Sequence, residues 1–233
     1  MSNNKNNTGM LVVSVDSKNF KSAFLRSVLP QLSERHDNVF IVVADELMVY
    51  NRLTPELTVE KWQSLMAGYW QERYNSIAKV VNHFSLANVQ VKPYNEFCDP
   101  AFSSIFRRFW QLSLLDAGIS DLVNEKVAWF QSSRVKEFDA PKDTEASIIR
   151  QFVVEETAWS IHMGLNYGVN AEYYPNDSAA LLEYLYTSDS AETLFNKLGY
   201  EVFERQFWSI NTEKIEREEE PFELVWESKK PVN

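Results

Sequence analysis

Two continuous apolar runs rich in β-branched residues, residues 10–14 (MLVVS) and 39–44 (VFIVVA), predict strands that are covered on both faces of a parallel sheet. Between them, apolar residues recur at intervals of three and four, which predicts a helix that packs one face on the sheet. We expect Pro30 to kink this helix or to end its regular part. Strand, helix and strand in this order predict a βαβ unit.

Strand and helix patterns continue to alternate along the rest of the chain. Helices are predicted at residues 59–84, 100–115, 122–133, 144–163, 177–186 and 191–198. Further strands are predicted at residues 88–92 and 169–174 and in the final segment. Ala117 and Gly118 are expected to separate two of the helices, Asp143 or Thr144 to cap a third, and residues 164–168 to form the turn after it.

This alternation predicts an α/β fold with a mostly parallel sheet, in which ligands bind at the carboxyl ends of the strands. We interpret residues 1–233 as a single domain, with residues 1–9 as a flexible polar start. The sequence leaves the oligomeric state open.

Composition and charge narrow the possible classes of function. With 45% hydrophobic residues the chain can bury a large core, and a net charge of −10 argues against a protein that coats nucleic acid. The single cysteine, Cys98, excludes an internal disulfide, and the polar start lacks the features of a secretory signal, so we expect a cytoplasmic protein. No apolar run is long enough to predict a membrane span.

Several familiar chemistries have no support in the sequence. His36, His83 and His162 lie far apart, and no pair of histidines has the spacing of a helical metal site. With only six glycines, the chain contains no glycine-rich phosphate loop. We therefore expect neither a metal nor another cofactor.

Ser14, at the end of the first predicted strand, is a candidate nucleophile because it lies where ligands bind in open α/β sheets. Serines commonly end strands and cap the turn that follows, and taken alone Ser14 fits that structural role better. The G-x-S-x-G elbow of the α/β hydrolases is absent.

Four ordered segments resemble the cyclodipeptide synthases. The run SVDSKNF at residues 14–20 resembles their serine motif, and residues 38–51 resemble their second strand and the acidic and aromatic segment after it. On the helix before the fourth strand, Glu156 matches a family glutamate, whereas Phe152 replaces the tyrosine that the family places four residues earlier. The dipeptide Tyr174-Pro175 resembles the Tyr-Pro subfamily.

Each match has a plain structural alternative. Glu156 could be an exposed helix residue, and Tyr174 could be a core aromatic, with Tyr173 as a competitor for its role. The resemblance implies that Ser17 is the variable residue three positions after the nucleophile, and that Phe152 removes one hydroxyl contact with the aminoacyl group.

The resemblance implies a Rossmann-like domain, similar to the catalytic domain of tyrosyl- and tryptophanyl-tRNA synthetases. The His-x-Gly-His and Lys-Met-Ser-Lys-Ser motifs of those synthetases are absent, so activation by ATP is not expected. The implied activity is synthesis of a cyclic dipeptide from two aminoacyl-tRNAs, with Ser14 as nucleophile, Glu156 binding the ammonium and Tyr174 relaying a proton. A catalytically inactive tRNA-binding homologue and an unrelated serine acyltransferase or hydrolase are the alternatives.

Two further expectations concern the substrates. The resemblance places the tRNA-binding surface on the helix at residues 59–84, where Lys61, Arg73 and Lys79 are the candidate contacts, although they could be ordinary solvated charges. Val12 lies two residues before Ser14, so its side chain should lie on the same side of the strand and line the aminoacyl pocket. It could instead pack under a helix.

Overall fold

The structure is a computed structural model that describes residues 7–13, 22–44, 59–134, 142–175, 190–200 and 205–227. The strands are β1 (Thr8–Val13), β2 (Asn38–Val43), β3 (Val89–Pro93), β4 (Val169–Pro175), β5 (Gln206–Ile210) and β6 (Phe222–Glu227). The helices are α1 (Ser22–Arg35), α2 (Val59–His83), α3 (Pro100–Leu115), α4 (Ala117–Arg134), α5 (Lys142–Tyr167), α6 (Ser190–Leu198) and α7 (Thr212–Glu216), with a 3-10 turn at Tyr94–Phe97.

The six strands form one sheet in the order β3-β2-β1-β4-β5-β6. All neighbouring pairs are parallel except β5 and β6, which are antiparallel. The chain leaves β1 toward β2 on one side and later returns to β4 on the other, so the strand order reverses beside β1. This confirms the mostly parallel α/β sheet and puts its topological switch point, where such folds bind ligands, between β1 and β4.

Side chains of β1 alternate between two cores. Leu11 and Val13 pack on one face with residues of α1 and α2. Met10 and Val12 pack on the opposite face with residues of α3, α4 and α5, in what we call the α5-side core. Helices therefore cover both faces of the sheet, as the continuous apolar runs predict.

Two helix boundaries differ from the predictions. Helix α1 continues through Pro30 to Arg35, so the proline does not end it. Helix α4 begins at Ala117, which puts Gly118 inside its first turn. The break before it is the single residue Asp116, whose carboxylate accepts a 3.1 Å hydrogen bond from the backbone N–H of Ile119.

Helix α5 also differs from its predicted ends. It begins at Lys142, so Asp143 and Thr144 lie within its first turn instead of capping it. The helix continues through Gly164 and ends at Tyr167, four residues beyond Met163. A glycine commonly ends a helix by adopting a left-handed backbone, and here Gly168, with φ of 67°, adopts it and Gly164 does not. The helix predicted at residues 177–186 lies outside the described residues. In the ranges described, no helix combines the length and apolar character needed to cross a membrane.

Candidate functional site

The site predicted from the sequence falls at the carboxyl ends of β1 and β4. These strands are hydrogen-bonded neighbours, with Leu11 in register with Tyr173. Strand β1 ends at Val13, directly before Ser14 in the chain. Ser14 and Ser17 themselves lie outside the described residues.

Tyr174 belongs to a buried polar network whose central member is Glu172. Its hydroxyl donates a 2.8 Å hydrogen bond to Oε2 of Glu172. The hydroxyl of Ser160, on α5, donates a 3.0 Å hydrogen bond to Oε1 of the same carboxylate. Arg205, at the start of β5, forms an ion pair with Glu172. The network therefore connects β4 with α5 and with the start of β5 through the Glu172 carboxylate.

This network excludes water almost completely. Glu172 and Ser160 have 0% exposure, Arg205 has 1% and Tyr174 has 5%. Burial lowers the pKa of Arg205 to about 9, which still leaves the guanidinium charged near neutral pH. Because an unpaired buried charge is strongly unfavourable, Glu172 and Arg205 depend on each other for their burial.

Helix α5 carries the second group of candidate residues. Phe152, Glu156 and Ser160 are spaced four apart, so they share one helical face. Phe152 is a core residue that packs edge-to-face on Phe130 of α4, with ring centroids 5.5 Å apart. Glu156 is half-buried and its Oε2 atom has no solvent contact, so it is not an exposed helix residue.

The two adjacent tyrosines of β4 lie on opposite faces of the sheet. Tyr174 belongs to the α5-side core, whereas Tyr173 packs on the α1 and α2 side. The Tyr173 hydroxyl is 2.7 Å from Nε2 of His36, which lies close against Gly9 in a space that a Cβ atom there would occupy. Tyr173 therefore belongs to a separate structural contact, and Tyr174 is the tyrosine that shares a face with Val12.

The two candidate tRNA-binding residues whose side chains the structure describes, Arg73 and Lys79, differ in exposure. Lys61 lies in α2, but its side chain is outside the described part. Arg73 is half-buried, at helical spacing from the buried Ile77 and Val80, whereas Lys79 is exposed. Arg73 and Lys79 therefore point to different faces of α2.

A second basic surface lies on α3, where Arg107 and Arg108 are exposed. They line a shallow cavity of about 400 Å³ together with Pro100, Ser104 and Gln111. Arg108 also donates a 3.1 Å hydrogen bond to the backbone carbonyl of Lys197, which ties it to α6.

Sequence reasoning missed Glu172, Ser160 and Arg205. The sequence did contain a signal for Glu172, because a carboxylate in the middle of a mostly apolar strand is unusual unless it has a buried partner. Arg205 precedes a short strand, and nothing in its neighbourhood distinguishes it from a surface cation. Among the described residues, no group of three or more histidine, cysteine, aspartate or glutamate side chains could hold a metal ion.

Comparison with solved structures identifies the class of fold. A structure of a Mycobacterium tuberculosis protein, which relates cyclodipeptide synthetases to type I tRNA synthetases, has a TM-score of 0.62 at 15% identity, over 79% of this chain and 79% of that chain. The chain thus has a Rossmann-like sheet similar to that of this cyclodipeptide synthetase structure.

Two other solved structures are similar over comparable or greater lengths. A cyclodipeptide synthase from Fluoribacter dumoffii has a TM-score of 0.64 at 11% identity, over 77% of this chain and 81% of its own. AlbC, a cyclodipeptide synthase from Streptomyces noursei, has a TM-score of 0.60 at 10% identity, over 91% of this chain and 99% of its own. No protein-family profile and no curated protein sequence matches this chain. The likeness at these identities establishes the fold.

Proposed function

We propose that this protein is a tRNA-dependent cyclodipeptide synthase that joins the aminoacyl groups of two aminoacyl-tRNAs into a 2,5-diketopiperazine. The proposal rests on one observation above all. The chain has the fold of the cyclodipeptide synthases, and its Tyr174 lies at the end of the strand beside the one that leads into Ser14. The motif at residues 14–20 and the Tyr174-Pro175 dipeptide, which resembles that of the Tyr-Pro subfamily, add to this support.

The first step is transfer of an aminoacyl group from tRNA to Ser14. The serine oxygen attacks the ester carbonyl, and the tRNA hydroxyl leaves. Because the substrate is already an activated ester, the step needs positioning more than a strong base. Glu156 pairs with the ammonium of the aminoacyl group, and the enclosure of its carboxylate strengthens that pairing.

The second and third steps form the two peptide bonds. The amine of the Ser14-bound aminoacyl group attacks the ester carbonyl of a second aminoacyl-tRNA, the hydroxyl of that tRNA leaves, and the resulting dipeptide remains attached to Ser14. The free amine of the dipeptide then attacks the serine ester and closes the ring, with Tyr174 relaying a proton. Val12 and Phe152 belong to the same core as Tyr174 and form the apolar wall beside the aminoacyl group.

Product analysis tests this proposal. The protein is expressed in a bacterial host, and the medium is searched by mass spectrometry for diketopiperazines, with Ser14→Ala as the control. We expect cyclic dipeptides from the wild type and none from the variant. Binding of tRNA without product would identify the inactive homologue, and hydrolysis or transfer of a single acyl group would identify an unrelated serine enzyme.

A further inference from the structure

We propose that Glu172 is a positioning residue for Tyr174, which makes the two side chains a proton relay whose far end is the Glu172 carboxylate. This inference rests on the proposed function and adds a residue that the sequence motifs do not contain. In it, Arg205 and Ser160 hold the carboxylate in place.

The direction of one hydrogen bond carries the inference. A carboxylate without a proton can only accept, so the 2.8 Å contact to Glu172 Oε2 uses the phenolic proton of Tyr174. Toward a substrate, the tyrosine oxygen can then act only as a proton acceptor. A tyrosine that accepts a proton must pass on its own, and Glu172 is positioned to receive it.

The surroundings of Glu172 keep the carboxylate fixed. The other carboxylate oxygen, Oε1, accepts the hydrogen bond from Ser160 and faces the Arg205 guanidinium. Ser160 lies on α5 and Arg205 directly precedes β5, so the two partners come from the two elements that flank β4. All three side chains are buried to 99% or more, so the electrostatic interactions among them are little screened by water. A carboxylate held in this way directs the Tyr174 hydroxyl without the motion that a solvated side chain would have.

The proposed step balances in atoms and charge. During ring closure the amine nitrogen bonds to the ester carbonyl carbon, its proton moves to the Tyr174 oxygen, and the phenolic proton moves to Glu172 Oε2. When the bond from carbon to the Ser14 oxygen breaks, the proton returns from Glu172 through Tyr174 to that oxygen. The enzyme thereby regains free Ser14 and an ionised Glu172.

The test separates ring closure from acylation. Purified enzyme is charged with aminoacyl-tRNAs, and the aminoacyl-enzyme, the dipeptidyl-enzyme and the cyclic product are followed in time by mass spectrometry. The variants are Glu172→Asp, which keeps a charge opposite Arg205 but is one methylene shorter, and the neutral pair Glu172→Gln with Arg205→Gln. Glu155→Gln is the matched control, because Glu155, on α5, also accepts a hydrogen bond from a tyrosine hydroxyl, that of Tyr94 at 3.1 Å.

We expect both Glu172 variants to form the aminoacyl-enzyme normally, to accumulate dipeptidyl-enzyme and to cyclise about 100-fold more slowly, whereas the control cyclises normally. Adding Tyr174→Phe to either variant should slow cyclisation no further than Tyr174→Phe alone, because one relay is lost in each case.

Normal cyclisation by a folded Glu172 variant would overturn the relay and leave the proposed function intact. Effects that multiply with those of Tyr174→Phe would also overturn it, since they would indicate a structural role. If the wild type forms no cyclic product, the proposed function fails and the relay fails with it. Thermal melting identifies any Glu172 variant that does not fold. The cyclisation rate of the variant that does fold then tests the relay.

Discussion

Leu11 of β1 is paired in register with Tyr173 of β4, and the next residue of each strand, Val12 and Tyr174, packs into the α5-side core. The two strands that carry the proposed chemistry therefore present one apolar and one polar side chain to the same region. We therefore propose that Val12 forms a wall of the aminoacyl pocket beside the Tyr174 network.

Substrate size should depend on Val12. We expect the wild type to prefer a small first aminoacyl group, such as alanine or glycine, because the branched side chain occupies space that a large aromatic would need. Val12→Gly should add larger residues to the product spectrum, measured by mass spectrometry of the cyclic dipeptides. Val13→Ala is the control, since Val13 faces the opposite core. A wild type that already prefers phenylalanine or tyrosine would contradict this view of the pocket.

Removing the charge of Glu156 should weaken capture of the aminoacyl group. Glu156→Gln keeps the shape of the side chain but loses the charged partner of the ammonium, so kcat/KM should fall by about 10- to 100-fold. The measurement is cyclic dipeptide formation at limiting aminoacyl-tRNA, with Glu155→Gln on the same helix as the control. Near-normal activity of the Glu156 variant would exclude it from ammonium binding.

Docking of tRNA should involve the exposed face of α2 that carries Lys79. Each phosphate contact releases counterions, so we expect weak binding that decreases steeply as the salt concentration rises. Lys79→Glu should weaken binding and reduce the salt dependence more than Arg73→Glu, because Arg73 is half-buried and Lys79 is exposed. Arg217→Glu, on the exposed turn after α7, controls for the change in total charge. Identical binding by all three variants would exclude α2 as the docking helix.

Stability should depend on pH through His36. Burial, together with the positive charge of Arg35, lowers the pKa of His36 from 6.5 to about 4, so the folded protein keeps the ring neutral between its hydrogen-bond partners Asn7 and Tyr173. The unfolded chain binds a proton on this ring below about pH 6.5, so this contribution is complete above that pH and is lost as the pH falls to about 4.

The measurement is the urea midpoint of unfolding at about pH 7 and about pH 5, for the wild type and for His36→Gln. The wild type should lose more stability over this interval than the variant, because glutamine does not titrate. An equal loss of stability in both proteins would show that His36 is not the source of this pH dependence.

The fold was predictable because its signals are local. The β-branched runs that became β1 and β2 are continuous, and the stripe that includes Ile77 and Val80 has helical period. Candidate site residues could be proposed only where a residue belongs to a recognisable motif, as Glu156 and Tyr174 do. Glu172 and Arg205 were not predictable as a pair, because their contact depends on β4 and β5 becoming neighbours in the sheet. The end of α5 was misjudged because either Gly164 or Gly168 could end a helix, and only the backbone conformation distinguishes them.

Locating the acyl group on the enzyme tests the role of Ser14 most directly. The protein is mixed with isotopically labelled aminoacyl-tRNA, quenched in acid and digested, and the peptides are mapped by mass spectrometry. If Ser14 is the nucleophile, one labelled aminoacyl group is found on Ser14, it is absent in Ser14→Ala, and it is transferred into a cyclic dipeptide when a second aminoacyl-tRNA is added. A cyclic product formed at wild-type yield by Ser14→Ala, or an acyl group on a different residue, would contradict this role.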